Sequence, residues 1–223
     1  MRSLLLVPTK FEKAKIAPET LSTFRSMGTD LDLCGFGLIA SAAQAARLIT
    51  QQQPDRVILI GIAGLYRRND VDESWIGKAA QFDQVVSYGI GVGNGLNFTS
   101  AEALGWSQLQ SETHAYPSCD SIQLNTLGDS WTNENVKVLV SVTAASADDQ
   151  EASEKLRSFP NALAEDMEGF GVAMACQLCN VPLTILRGFS NWVGDRNHNN
   201  WKVCEAMENA CALLIELSRS QSK

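Results

Sequence analysis

Between residues 164 and 201 the chain collects side chains that could carry out chemistry. Asp166 and Glu168 precede a run of small and apolar residues. An apolar stretch then ends in Leu186-Arg187-Gly188-Phe189-Ser190-Asn191, followed by Trp192-Val193-Gly194-Asp195-Arg196. A carboxylate at a helix start and a carboxamide at a strand end can face one pocket. The first accepts hydrogens from hydroxyls; the second donates from its nitrogen and accepts at its oxygen. Together they could hold a ribose and a purine. Singly each is ordinary, since an acid in a first helical turn suits the helix dipole with no ligand at all. The combination carries the weight. A third carboxylate, Glu12, follows the first apolar run by a few residues.

The elements that must position these groups alternate from end to end. Short apolar runs predict strands over 3–7, 31–34, 56–60, 85–88, 136–142 and 183–189. Helical spacing predicts helices over 10–27 with a break at Pro18, over 38–49, over 148–157 as an exposed helix, over 168–179, and from Val203 to the last apolar position, Leu217. Gly35-Phe36-Gly37 closes the second strand and Gly61-Ile62-Ala63-Gly64 closes the third. This alternation predicts an α/β fold, a sheet with helices on both faces, as one domain over 1–223. Ligands in such sheets sit beyond the carboxyl ends of strands. The lining candidates are therefore 8–12, 35–38, 61–65, 89–95, 143–146 and 190–195, with Glu168 reaching them from its helix. The stretch 89–135 is rich in Gly, Ser, Asn and Thr and is expected to form loops that cover a site.

Bulk properties narrow the classes. The formal net charge is −7, which argues against nucleic acid, whose phosphates need clustered Lys and Arg. No apolar run approaches the ~18 residues of a membrane span. Leu4-Leu5-Leu6-Val7 is too short for a signal-peptide core. A cytoplasmic protein with no membrane partner is expected. The six cysteines, at 34, 119, 176, 179, 204 and 211, are read as small buried thiols on helix faces. Cys176-x-x-Cys179 is half a zinc site with no second half, and neither His114 nor His198 has metal-ligand spacing around it. No metal is expected. Gly35-x-Gly37-x-x-Ala40 matches a dinucleotide fingerprint, but no acid ends the next strand: Asp55 precedes it. The glycines are read as a tight turn, and no organic cofactor is implied.

The whole constellation resembles the nucleoside phosphorylase and nucleosidase superfamily. The Asp166-Met-Glu-Gly169 run and Arg187-Gly-Phe-Ser-Asn191 carry the likeness. Glu12, Gly35-Phe-Gly37 and Gly61-Ile-Ala-Gly64 fall in that family's order. Ser190-Asn191-Trp-Val-Gly194-Asp195-Arg196 with Trp201, and the opening Val7-Pro8-Thr9-Lys-Phe-Glu12, look most like its futalosine hydrolase branch. The resemblance implies a three-layer α/β/α fold with a mixed, twisted central sheet and a homodimer or larger assembly. It also implies a small-molecule nucleoside substrate. The activity implied is hydrolysis of the N-ribosidic bond of a 6-oxopurine nucleoside, futalosine, with release of hypoxanthine on a route to menaquinone.

Residue roles follow from the same likeness. Glu12 is the base that activates water. Glu168 holds the ribose hydroxyls, with Met167 under the sugar and Arg187 orienting Glu168. Asn191 reads the departing base, its nitrogen donating to O6 and its oxygen accepting from N7–H. Gly64, Ser190 and Ala145 line the substrate. A 6-oxo base suits an amide, where relatives acting on adenine carry Asp. Arg67 and Arg68, just past Gly64, could meet a distal carboxylate or, in a phosphorylase, a phosphate. Phe98, Phe159 and Trp192 are the candidates to stack on the base. Phe170 and Gly171 depart from the small, alanine-like residues of many relatives.

Overall fold

The computed structural model describes residues 2–110, 112, 120–127 and 136–220. The predicted positions His114 and Cys119 lie outside them. Strand β1 (Ser3–Val7) is buried at every position. Thr9 then caps helix α1 (Lys10–Lys13), its hydroxyl oxygen accepting from the Glu12 N–H at 3.2 Å. The helix expected over 10–27 is two helices. Pro18 opens α2 (Pro18–Ser26) as its first residue, where a missing N–H costs nothing. After β2 (Thr29–Leu33), Gly35 and Gly37 take φ of +88° and +81°, the left-handed turn that leads into α3 (Gly37–Gln52).

Strand β3 (Arg56–Leu65) is longer than predicted. Gly61 to Gly64 do not close it; they continue it, because a neighbouring strand pairs with them throughout. Beyond it come β4 (Ala79–Phe82), which the sequence reading missed, and β5 (Gln84–Tyr88). A small ribbon of β6 (Gly91–Val92) and β7 (Thr99–Ser100) and the short β8 (Ser121–Gln123) follow. Then come β9 (Val138–Val142), α4 (Asp149–Ser158), β10 (Ala162–Asp166), α5 (Gly169–Cys179), β11 (Leu183–Trp192) and α6 (Val203–Ser220).

The nine-stranded sheet runs β2-β1-β3-β10-β9-β5-β8, with β11 on β3 and β4 on β11. It is mixed, as expected. β3 is the fork. Its first half lies between β1 and β11, both parallel to it. Its last two residues reach past β1 and pair antiparallel with β10, Gly64 opposite Glu165 and Leu65 opposite Ala164. From there β10 runs back along β3, which brings Asp166 and Glu168 toward Gly61. β11 pairs with β3 as far as Trp192, so Ser190 and Asn191 belong to the strand rather than to a loop after it.

Alternation along β1 assigns the layers. Leu4 and Leu6 join Leu48 and Ile49 of α3 and Phe170 and Val172 of α5. Leu5 and Val7 join Phe24 of α2 and Met207, Leu214 and Leu217 of α6. The fold is therefore α/β/α. Gly171 lets α5 lie against α3: a Cβ there would come within 2.5 Å of Ser41 Oγ. Phe170 beside it is core. Among the described residues no helix is long and apolar enough to cross a membrane.

Candidate active site

The ends of β1, β3, β10 and β11 meet around a cavity of about 320 Å³. Thr9 and Glu12 enter its wall from α1, Ile62, Ala63 and Gly64 from β3, and Ser190 and Asn191 from β11. Met167 and Glu168 come from the turn after β10, and Ala145 from the turn after β9. Of the predicted substrate set, all but Arg187 line the cavity; Arg187 is buried directly behind it.

Arg187 organises the acids. Its guanidinium is fully buried; Nε donates to Asp166 Oδ2 at 3.0 Å and Nη2 pairs with the same carboxylate. Nη2 also stands 3.6 Å from Glu168 Oε2. Asp166 accepts in addition from the Ser141 hydroxyl at Oδ1 and from the Gly169 N–H at Oδ2, the latter at 2.9 Å. Arg187 was expected to orient Glu168; its main partner is Asp166. Burial opposes the Arg187 charge, but Asp166, Glu168 and Glu12 outweigh it and raise its pKa above the ordinary value. Among the described residues Nη1 has no hydrogen-bond partner, and it faces Gly61. A Cβ on Gly61 would collide with Nη1 and lie 2.8 Å from Glu12 Oε1. The glycine is needed here for close approach, not for its dihedral angles.

Glu12 is buried, its Oε1 accepting from the Ile62 N–H at 3.1 Å and its Oε2 from the Thr9 hydroxyl at 2.6 Å. A carboxylate oxygen carries two lone pairs, so each keeps one free for a water. Glu168 stands at the N-cap position of α5 without capping it. Its Oε1 instead accepts from the Gly37 N–H at 3.0 Å, which ties the Gly35-x-Gly37 turn to the site. Burial pushes the Glu168 carboxyl up to about 7; Arg187 opposes this and Asp166 adds to it.

The sign of the consequence follows. A folded-state pKa above the unfolded value means that the native protein holds the extra proton between 4.5 and about 7. The stability from Glu168 is complete below the lower value and is lost as pH rises through the upper one. Glu168→Gln should therefore flatten the pH dependence of the melting temperature in that window. Parallel profiles for variant and wild type would contradict it.

The Asn191 amide is held. Its oxygen accepts from the Ser190 hydroxyl at 2.6 Å, and its nitrogen donates to the main-chain oxygens of Trp192 at 2.8 Å and Asp195 at 3.5 Å. The second of these donations is at the limit of a hydrogen bond. The amide thus offers the cavity an oxygen lone pair outright, and an N–H only where a ligand replaces the Asp195 contact.

Several expectations are corrected. Arg67 lies 4.6 Å over the Trp192 ring and 3.7 Å from Asp149. Arg68 pairs with Asp70 at 2.9 Å and donates to the Ala162 carbonyl. Neither lines the cavity. Nor do Phe98 and Phe159, which pack on Tyr88, or Trp192, whose Nε1 donates to Glu73. Gly89, Gly93 and Gly95 line a separate hollow with Phe98. Cys204 is exposed and Cys34 sits just past β2, so the thiols are not uniformly buried on helices.

Phe11 and Phe36 line the cavity, within the ranges 8–12 and 35–38 expected to do so, as do Arg196 and Trp201 of the motif; His198 and Glu165, which also line it, carry no such expectation. On the far side of Ala145, Glu165 accepts from the Ser146 N–H and hydroxyl, from Tyr66, and from Lys155 Nζ at 3.3 Å. Lys155 belongs to the helix read as exposed, yet it is buried. The pair is legible only once β10 is known to be a strand. Among the described residues no group of three or more His, Cys, Asp or Glu side chains is disposed to hold a metal ion.

Comparison with known proteins gives a consistent outcome. A family model described as the phosphorylase superfamily matches residues 31–219. A 5′-methylthioadenosine/S-adenosylhomocysteine nucleosidase from Maridesulfovibrio salexigens is 25% identical over 236 residues, covering 99% of this chain and 94% of that protein. A futalosine hydrolase from Streptomyces coelicolor is 28% identical over 185 residues, covering 81% and 74%. The native structure of futalosine hydrolase from Helicobacter pylori superposes with a TM-score of 0.71 at 16% identity, covering 98% of this chain and 97% of that one.

Proposed function

The chain belongs to the phosphorylase superfamily, and from that premise we propose that it is a purine nucleosidase hydrolysing the N-ribosidic bond of futalosine. The observation that carries this reading is the meeting of Glu12, Glu168 and Asn191 in the wall of one cavity.

Cleavage passes through a cation-like sugar and a purine that gains negative charge, and the enzyme must bind that charge-separated state better than the substrate. Glu168 accepts the ribose hydroxyls and favours the cationic sugar, with Met167 packed beneath it. Glu12, held by Thr9 and Ile62, takes a proton from the attacking water. The proton that Glu12 takes from water is returned through solvent to the departing base, and the resulting N7–H donates to the free lone pair of Asn191 Oδ1. For a 6-oxo base the Asn191 nitrogen exchanges its long contact with Asp195 for O6. Ser190 keeps the amide oxygen oriented, and Gly64 and Ala145 leave room for the flat ring. Water rather than phosphate is the acceptor in this reading. Four carboxylates (Glu12, Glu165, Asp166 and Glu168) line the cavity, and both arginines that could have received an anion after β3 are engaged elsewhere.

A second reading is cleavage of methylthioadenosine. It is favoured by the nucleosidase relative that spans 99% of the chain. Chromatography of free base from futalosine, aminofutalosine, inosine and methylthioadenosine, with and without phosphate, separates the two. The expected result is hypoxanthine, released fastest from futalosine and at a rate indifferent to phosphate. Adenine released from methylthioadenosine alone would replace this proposal with the second reading. Asn191→Asp should move the inosine-to-adenosine preference by roughly ten- to a hundredfold toward adenosine. An unmoved ratio would remove Asn191 from base recognition.

A further inference from the structure

The turn between β9 and α4 is gripped by a buried ion pair that takes no part in the chemistry above. The Lys155 and Glu165 side chains are 6% and 4% exposed. An ammonium has three hydrogens, and each finds an acceptor here. These are the Ala144 carbonyl at 2.9 Å, the Ser146 hydroxyl at 2.9 Å and Glu165 Oε2 at 3.3 Å. Glu165 holds the same turn. Its Oε1 accepts from the Ser146 N–H at 2.8 Å and its Oε2 from the Ser146 hydroxyl at 2.7 Å. Ala144 and Ser146 are thus both tied, and Ala145 between them lines the cavity.

The register of the sheet says which end of the cavity this turn faces. Gly64 of β3 lies opposite Glu165 on one edge and opposite Asn191 on the other. Glu165 and Asn191 therefore stand in one row, two strand spacings or ~10 Å apart at the backbone. Both line the same cavity. The side chains narrow that gap toward the width of a flat ring, so the turn carried by Glu165 faces the base, across from Asn191. A buried ion pair is a costly way to gain stability, since an apolar pair of similar volume often serves as well. What it adds is direction: a lysine with three fixed acceptors permits one placement of the turn.

We propose that Lys155 is a positioning residue: paired with Glu165, it fixes the Ala144–Ser146 turn and through it the wall on which the purine rests. The inference rests on the purine nucleosidase reading and adds a residue that stands behind the cavity wall. The wall meets the base in the ground state and the transition state alike. Loosening it weakens binding of nucleoside and free base together and spares the chemical step.

The test measures kcat and KM for futalosine and the calorimetric Kd of free hypoxanthine in wild type, Lys155→Met and Ser146→Ala, each well below its melting temperature. Lys155→Met should raise KM and the hypoxanthine Kd in step, by roughly tenfold, with kcat within about twofold of wild type. Ser146 does not line the cavity, and Ser146→Ala removes one link of the clamp. It should give a smaller rise of the same kind, and it decides the matter should Lys155→Met fail to fold. Lower melting temperatures with unmoved Kd and KM would overturn the inference, because the pair would then serve stability alone. So would a fall in kcat at constant KM. If wild type binds adenine and not hypoxanthine, the futalosine reading fails, and the adenine Kd in the same variants decides on Lys155. Binding of neither base by wild type would overturn both.

Discussion

Glu12→Gln is expected to lower kcat by roughly 10²–10⁴ while leaving substrate affinity close to that of wild type. The amide is the same size. It can still accept at one position from the Ile62 N–H or the Thr9 hydroxyl, which hold the native carboxylate at 3.1 and 2.6 Å. What it cannot do is take a proton from water. Stopped assays for turnover, together with calorimetric titration of a non-hydrolysable nucleoside, separate the two effects. A variant with wild-type kcat would remove Glu12 as the base. A variant that neither binds nor turns over would point to loss of the α1 cap rather than of the base.

The second large effect is thermodynamic. Arg187→Met should destabilise the protein by about 3–5 kcal/mol, because Asp166 and Glu168 would be left buried without their cation. At about 2–4 °C per kcal/mol for a chain of this size, the melting temperature should fall on the order of 10 °C. Adding Asp166→Asn should recover part of the loss, since removing both charges is less costly than removing one. Thermal melts of the single and double variants measure this directly. A single variant that melts with the wild type would show that the ion pair is not what holds the turn after β10.

Much of this arrangement could be read from sequence, and the gaps have physical causes. Glu12 and Asn191 are recognisable because they follow apolar runs, and Glu168 because it opens a helix of small residues; the family resemblance joins the three. The strand β10 was missed because Leu163-Ala164-Glu165-Asp166 ends in two acids and looks like a helix start. It is a strand because β3 and β9 pair with its two edges. The same oversight hid the buried Lys155–Glu165 pair, since a lysine on a polar helix is exposed by default. Gly61 to Gly64 look on composition like the close of a strand, although pairing with β11 keeps them extended. Arg67 and Arg68 were close to the site in sequence only. Their neighbours Asp149 and Asp70 decide where they go, and sequence distance does not record that.

The forked sheet has a kinetic implication. Glu12, Gly61, Glu168 and Arg187 meet only where β3 is flanked on both edges, so the contacts that Gly61 makes with Glu12 and Arg187 close long stretches of chain. Such closures are entropically slow, and they cannot reward the chain until most of the sheet has paired. Recovery of activity should therefore trail recovery of helical signal on dilution from denaturant, and the catalytic centre serves as a gauge of when the molecule is complete.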